Sequence, residues 1–302
     1  MTRMTDGPAA MTDAPIAVTG ASGGVGGRVA RQLAAAGVPQ RLVVRDPARA
    51  PELPGAGTVR ATYDDPASMR TALAGTRSLF LVSAHEHSDR MGLHAGVVDA
   101  ALAAGVTRIV YTSFLAATPD ATFTFARDHY HTERHIRDRG VAYTFLRDSL
   151  YLDVLPDFAG QDGVIRGPAG DGRFAPVSRD DIADVAVAVL LSGDGGHDGR
   201  TYDLTGPAAV TMAEVAGELS RAAGRPVGYH AETLAEAYGS RAGYGAPEWE
   251  VAGWVTSYAA IATGELDVVS DAVATVAGHP PASLPGWLAA HPDSLARLRA
   301  HG

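Results

Sequence analysis

Ile16-Ala17-Val18-Thr19-Gly20-Ala21-Ser22-Gly23-Gly24-Val25-Gly26 decides the fold. Four residues of an apolar strand run straight into glycines at a three-residue spacing, and helical periodicity follows from Val25 until Gly37 stops it. Glycine permits the tight turn, lets backbone amides approach a pyrophosphate, and lets the helix pack close on the strand. The helix start then offers unpaired N–H groups and positive potential to an anion. The spacing Gly20-x-x-Gly23-x-x-Gly26 in a strand–turn–helix context therefore reads as a dinucleotide-binding loop.

Outward from this loop the rhythm of strand and helix repeats. Strands are expected at 41–45, 57–61, 78–83, 108–113 and 142–147. Helices are expected at 66–74, 89–104 and 125–139, each followed by glycine or by a helix-ending residue. Near-continuous apolar strands alternating with helices imply an α/β, Rossmann-type, doubly wound parallel sheet. Beyond Leu150 the rhythm changes. Residues 163–178, rich in Gly, Pro and Asp, suggest a hairpin, and Asp180–Asp181 suggests the cap of a helix over 181–191. A strand is expected at 201–204. Thr211 and Glu214 form a capping box, and the chain from Leu234 onward reads as mostly helical. The division expected is a dinucleotide domain over 14–150 and a smaller mixed, mostly helical substrate lobe over 151–302, which returns a strand or two to the main sheet.

Composition narrows the chemistry. The 302 residues are 46% apolar and 20% charged, enough for a sizeable core. The formal charge of −9 disfavours nucleic acid and anionic membrane surfaces as partners. There is no Cys, which removes disulfides and thiolate chemistry, and no metal site is expected. All 25 basic residues are Arg, so Schiff bases and a Tyr-x-x-x-Lys pair are excluded. Residues 1–13 are polar, have no apolar core of a signal sequence, and are expected to form a disordered leader. A soluble, cytoplasmic protein is expected, and a homodimer is compatible with the sequence.

The nucleotide is read from the end of the second strand, Val44-Arg45-Asp46-Pro47. An acidic residue there would accept from the 2′-hydroxyl of NAD, and an Arg would pair with the 2′-phosphate of NADP. Arg45 directly follows the apolar run, and Asp46-Pro47 reads as a turn that carries Asp46 away. NADP(H) is the cofactor expected.

Taken together, Thr19 to Gly26, Val44-Arg45-Asp46-Pro47, Tyr63-Asp64-Asp65-Pro66, Val110-Tyr111-Thr112-Ser113 and Tyr143-Thr144-Phe145-Leu146-Arg147 resemble the NmrA-like family of atypical short-chain dehydrogenases. Asp128-His129-Tyr130-His131-Thr132-Glu133 is similar to the pattern of its NADPH-dependent quinone oxidoreductases of type 2. The resemblance implies NADP(H) at Thr19, Gly20, Ser22, Gly23, Gly24, Val25, Gly26 and Arg45, with Ser83, Ser113, His129 and the segment after Arg147 along the cofactor. Two positions depart from the family: Thr62 stands where an acidic residue often lies near the adenine, and Asp148 stands where the subgroup often has Asn.

Candidate catalytic groups are Tyr130, His129 and Ser113. Tyr130 and Arg134 share a helix face, so the guanidinium can perturb the phenol; a surface Tyr is the alternative. His129 is the family-matched proton donor or cofactor contact, and Ser113 can hold a substrate oxygen. Trp249, Trp254 and Tyr258 either wall a flat pocket or fill the helix core. His131 and His135 have a metal-compatible spacing but no third ligand, so a solvated face is preferred. The alternating charges from Arg127 to Arg139 read as a solvated, salt-bridged helix.

Magnitudes favour one substrate class. Ketone reduction leaves an alkoxide, whose conjugate acid has a pKa of about 16, like water. Quinone reduction leaves a phenolate, pKa about 10, a difference of roughly 8 kcal/mol in charge to be stabilised. A site without a Tyr–Lys pair suits quinones or other flat, conjugated small molecules. Two other readings fit the same residues: a non-catalytic NADP(H)-sensing regulator, and a tailoring reductase or isomerase of specialised metabolites.

Overall fold

The computed structural model describes residues 14–193 and 195–300, and the expected leader at 1–13 lies outside them. Strand β1 (Ile16–Thr19) is buried along its whole length and feeds α1 (Gly24–Ala35). Then follow β2 (Gln40–Val44), β3 (Ala56–Arg60), α2 (Pro66–Leu73), β4 (Ser78–Leu81), α3 (Arg90–Ala103), β5 (Arg108–Phe114), α4 (Thr124–Asp138) and β6 (Ala142–Asp148). Asp65 caps α2 by accepting from the amides of Ala67 and Ser68, with Pro66 at the first helical position.

The second half contains β7 (Val164–Gly167), β8 (Arg173–Phe174), α5 (Arg179–Leu191), β9 (Arg200–Leu204), β10 (Val210–Thr211), α6 (Met212–Ala223) and β11 (Gly228–Ala231). It ends in α7 (Leu234–Arg241), α8 (Glu248–Ala262), α9 (Ala272–Ala277), α10 (Leu284–Ala290) and α11 (Ala296–Ala300). The main sheet has seven parallel strands in the order β3-β2-β1-β4-β5-β6-β9, so one strand from beyond residue 150 completes it. Val18 lies opposite Leu42 on one side and Phe80 on the other.

Both faces of the sheet are covered. Val25, Val29 and Leu33 of α1 pack with Ile182, Val185 and Val189 of α5 on one face, joined by Val273 of α9. Met69, Leu73, Val97, Val98 and Ile136 of α2 to α4 cover the other. A separate core holds the C-terminal lobe, with Leu152, Ile165, Phe174, Val215, Leu219, Ile261 and Trp287. No helix among the described residues is long and apolar enough to cross a membrane.

Two local expectations are corrected. Residues 163–178 do not form a hairpin: β7 pairs with β11 and β8 pairs with β10. The connection between β7 and β8 is instead pressed onto α8, because Gly167 lies against the Tyr258 ring and Gly172 against the Ile261 carbonyl, where no Cβ fits. The cap of α5 is Ser178, not the aspartate pair. Its hydroxyl accepts from the Asp181 amide at 2.9 Å and donates to the Asp181 carboxylate at 2.8 Å, while Asp180 pairs with Arg28. The capping box of Thr211 and Glu214 forms as expected.

Candidate active site

The chain runs β1, β2, β3 to one edge and resumes at β4 on the other side of β1. Loops therefore part at the C-terminal ends of β1 and β4, where ligands bind in open α/β sheets. A cleft of about 890 Å³ opens there. It runs from Arg45, Thr62 and Asp64, over Gly20 and the Ser22–Gly26 loop, to Phe114, Phe123, Phe125, His129, Leu150 and Tyr151.

The glycine loop is built for close approach. Gly20 has a φ of 62°, and its carbonyl accepts from the Gly23 amide at 2.8 Å. A Cβ on Gly26 would lie on the carbonyl groups of Thr19 and Gly20. Ser22, Gly23, Gly24 and Val25 line the cleft at the start of α1, and the Arg179 side chain crosses beside Gly24. These are the features that a dinucleotide pyrophosphate requires: bare backbone, a helix N-terminus and a nearby cation. Thr19 does not line the cleft. It is buried beneath it, where its hydroxyl donates to the Phe80 carbonyl at 3.2 Å, accepts from the Val82 amide at 2.9 Å and lies 2.8 Å from the Tyr63 hydroxyl. It joins β1 to β4 and supports the loop from below.

Arg45 is exposed on the lining at the end of β2. The Asp46 carboxylate accepts from the Ala48 amide at 3.1 Å, so the acidic neighbour is tied into its own turn. Thr62 and Asp64 share the same end of the cleft, and a hydrogen bond with Thr62 holds the Asp64 carboxyl below its usual range.

At the far end the sequence candidates separate. Ser83 and Ser113 line the cleft. The Ser113 hydroxyl donates to Glu133 at 2.6 Å, so its one proton is committed and its oxygen is left only as an acceptor. Glu133 is fully buried and takes a bidentate pair from Arg147 at 2.7 and 2.8 Å, with Arg137 at 3.2 Å. The expected solvated face of α4 therefore contains one buried carboxylate, and Arg147 and Arg137 compensate its charge.

His129 is 4% exposed and lines the cleft. Its Nε2 lies 3.1 Å from Nη1 of Arg90, and its Nδ1 lies 2.9 Å from the Tyr111 hydroxyl. A guanidinium can only donate, which assigns Nε2 as acceptor and places the ring proton on Nδ1. Burial first, and the Arg90 charge second, hold the imidazole well below its usual range. Burial thus favours the neutral imidazole, with both nitrogens occupied by Arg90 and Tyr111. Tyr130 does not line the cleft: it is one position round α4, half-buried, and its ring stands edge-on to His131. His135 pairs with Asp99 at 2.9 Å.

Several lining residues carried no recognisable spacing. Phe114, Phe123 and Phe125 form a chain of edge-on rings with centroids 4.9 and 5.5 Å apart, and Trp249 stands 6.1 Å behind Phe125. Tyr258 is buried in the lobe core, and Trp254 packs with Ala237, Val251 and Val255. At the end of β6, burial pushes the Asp148 carboxyl well above its usual range while Tyr151 donates to it at 3.0 Å. The neighbouring Ser149 borders the cleft, and its buried hydroxyl has no hydrogen-bond partner among the described residues.

A parallel sheet with a glycine cradle, a cation at the end of β2 and a covered cleft beyond defines an NAD(P)H-dependent oxidoreductase of the short-chain type. The comparisons agree. The chain belongs to the NAD(P)H-binding family, whose model matches residues 20–192. It is 34% identical to the NAD(P)H azoreductase of Xenophilus azovorans over 90% of this chain and 96% of the relative. It is 35% identical to quinone oxidoreductase 2 of Escherichia coli over 80% and 85% of the two chains. The crystal structure of the Escherichia coli NADPH-dependent quinone oxidoreductase complexed with NADPH superposes with a TM-score of 0.82 at 33% identity, covering 91% of this chain and 99% of that one. The likeness to quinone-reducing NmrA-like proteins thus extends from the motifs to the whole fold.

Proposed function

We propose that this protein uses NADPH to reduce flat, conjugated small molecules of the quinone type. The observation that carries the reading is the contrast between the two ends of the cleft. One end holds the bare glycine loop with Arg179 and Arg45. The other is walled by Phe114, Phe123 and Phe125, and none of the three candidate catalytic groups offers it a free proton. Tyr130 is outside it, the Ser113 proton is committed, and burial favours neutral His129.

The backbone from Ser22 to Gly26 would hold the pyrophosphate, and Arg45 the 2′-phosphate. Bound there, NADPH supplies a hydride. The residues then bind, orient and exclude water: the phenylalanines stack on the acceptor, Ser83 and Ser113 offer polar contacts along the cofactor, and Leu150 and Tyr151 close the floor. The names of the relatives, an azoreductase and a quinone oxidoreductase, share a conjugated acceptor that spreads charge.

The test is NADPH oxidation at 340 nm with a benzoquinone and a naphthoquinone, run beside NADH. Turnover that prefers NADPH, with the preference lost by about tenfold or more in Arg45→Asp, is the expected result. NADPH binding without reduction of any acceptor would overturn the reductase reading in favour of a sensor. Failure to bind NADPH would overturn the cofactor reading itself.

A further inference from the structure

The cleft is lined by three arginines, and a dinucleotide accounts for two of them. Arg45 stands at the 2′-phosphate end and Arg179 beside Gly24. Arg90 stands apart, at the first position of α3, and is only 8% exposed. Its Nε donates to the Ala84 carbonyl at 2.8 Å and its Nη1 to His129 at 3.1 Å. Nη2 has no hydrogen-bond partner among the described residues. Its flat face lies 5.9 Å from the Phe125 centroid.

No carboxylate among the described residues lies within ion-pair distance of this guanidinium. Asp89 instead caps α3 by accepting from the Gly92 amide at 3.1 Å, and Glu133 is taken by Arg147 and Arg137. Half-buried Asp128 feels the Arg90 charge but forms no ion pair with it, so it compensates that charge only in part. A nearly buried cation held by a carbonyl and a neutral imidazole is unfavourable unless a counter-charge reaches it. The open edge belongs to the cleft, among the aromatic side chains, so the counter-charge arrives with the ligand.

We propose that Arg90 is the oxyanion site for the acceptor, a reading that rests on the reductase function above. The nicotinamide C4–H bond would break and its hydride would form an O–H bond at one quinone carbonyl, leaving NADP⁺; the electron pair passes through the conjugated ring, so the other C=O becomes C–O⁻. Nη2 of Arg90 hydrogen-bonds that oxygen, which takes a proton from water as the product leaves the cleft. The oxygen that develops charge is of phenolate type, matched to a planar donor fork in a water-poor site. His129 is a positioning residue: Tyr111 accepts its Nδ1 proton and holds the ring, and its Nε2 aims the guanidinium.

The probe is 4-nitrophenol, whose anion is read by absorbance, titrated across pH into the protein with NADP⁺ present so that no turnover occurs. Wild type should bind the phenolate in preference to the phenol and ionise the bound probe at lower pH than the free probe. Arg90→Met should lose that shift and bind the phenolate about tenfold or more weakly, and Arg90→Lys should restore part of both. NADP⁺ affinity should be unchanged in both variants. With uncharged 1,4-naphthoquinone, Arg90→Met should lower kcat far more than it raises KM.

No phenolate binding by wild type, or equal binding by Arg90→Met with NADP⁺ affinity intact, would overturn the proposal. It would also be overturned if Arg90→Met left turnover of the uncharged quinone unchanged and raised KM only for a sulfonated one, since the guanidinium would then recognise a fixed substituent. If wild type showed the phenolate shift yet reduced no acceptor, the anion site would stand and the reductase reading would fall.

Discussion

At Gly26 the missing side chain is the functional feature. An added methyl would meet the carbonyl groups of Thr19 and Gly20, and backbone cannot swing aside as a flexible side chain can. Overpacking of this kind costs about 1–3 kcal/mol. Gly26→Ala should therefore lower Tm by several degrees and, by opening the loop, remove most of the Tm increase that NADPH gives wild type. An NADPH-dependent increase equal to wild type would show that the cradle tolerates the methyl. Asp148 gives a prediction of opposite sign. Burial raises its carboxyl, so the folded state holds a proton that the unfolded chain has released above pH about 4. That term reduces stability as pH rises from there toward the folded pKa. Asp148→Asn removes it, so Tm of the variant relative to wild type should climb as pH rises above about 4; a pH-independent difference would refute the assignment. Asp148 in place of the subgroup's Asn was legible as a departure in the sequence. That the carboxyl is enclosed was not, because nothing local to Arg147-Asp148-Ser149 shows that Tyr151 covers it.

The seam between α3 and α4 shows why element boundaries were easier to read than element faces. The strands and helices announced themselves through local apolar runs and glycine stops, and the observed ends fall within a few residues of those expected. Which face of α4 looks inward was obscured, because its buried stripe, Phe125, His129, Thr132, Glu133 and Ile136, includes three polar residues. A polarity pattern cannot separate His129, which lines the cleft, from Tyr130, which does not. The polar stripe is satisfied across the seam. His94 accepts from the Ala84 amide at Nε2, which leaves its Nδ1 proton for Thr132 at 2.9 Å, and Thr132 donates to the Asp128 carbonyl. Burial, then the Arg90 charge, hold His94 down to about 3, and His129 is lowered by the same causes. Each imidazole is neutral when folded and takes a proton when unfolded below about pH 6.5. Stability from this seam is complete above that pH and is lost as pH falls toward the folded values. The loss is about 1.4 kcal/mol per pH unit for each ring, or about 2 kcal/mol for His94 by pH 5. Urea denaturation at pH 7.5 and pH 5 should show this drop, and His94→Gln should shrink it. An equal drop in the variant would place the acid sensitivity elsewhere.

Across the whole molecule, the sheet is completed from the second half of the chain. A boundary at residue 150 matches the change of rhythm in the sequence, because strand–helix alternation ends there. The packing does not respect it. The face of the sheet behind the glycine loop is covered by α1 together with α5, and Ile182, Val185, Val189 and Leu190 of α5 are buried in that core beside Val29 and Leu33. At β6 the free edge is taken by β9, whose residues 200–204 pair with 144–148. Such pairing across more than fifty residues leaves no local signature, which is why the sequence suggests a returning strand without placing it. Burying four side chains of this size contributes roughly 6–12 kcal/mol, as large as the net stability of most domains. A chain ending at residue 150 would expose that face and an unpaired strand edge. It should therefore fail to give a cooperative thermal transition and should aggregate, although it contains Gly20 to Gly26, Arg45 and Ser113. If the 150-residue chain melted cooperatively and bound NADPH, the first half would be a self-sufficient domain, and the α5–β9 cover would serve the substrate end of the cleft rather than the stability of the sheet.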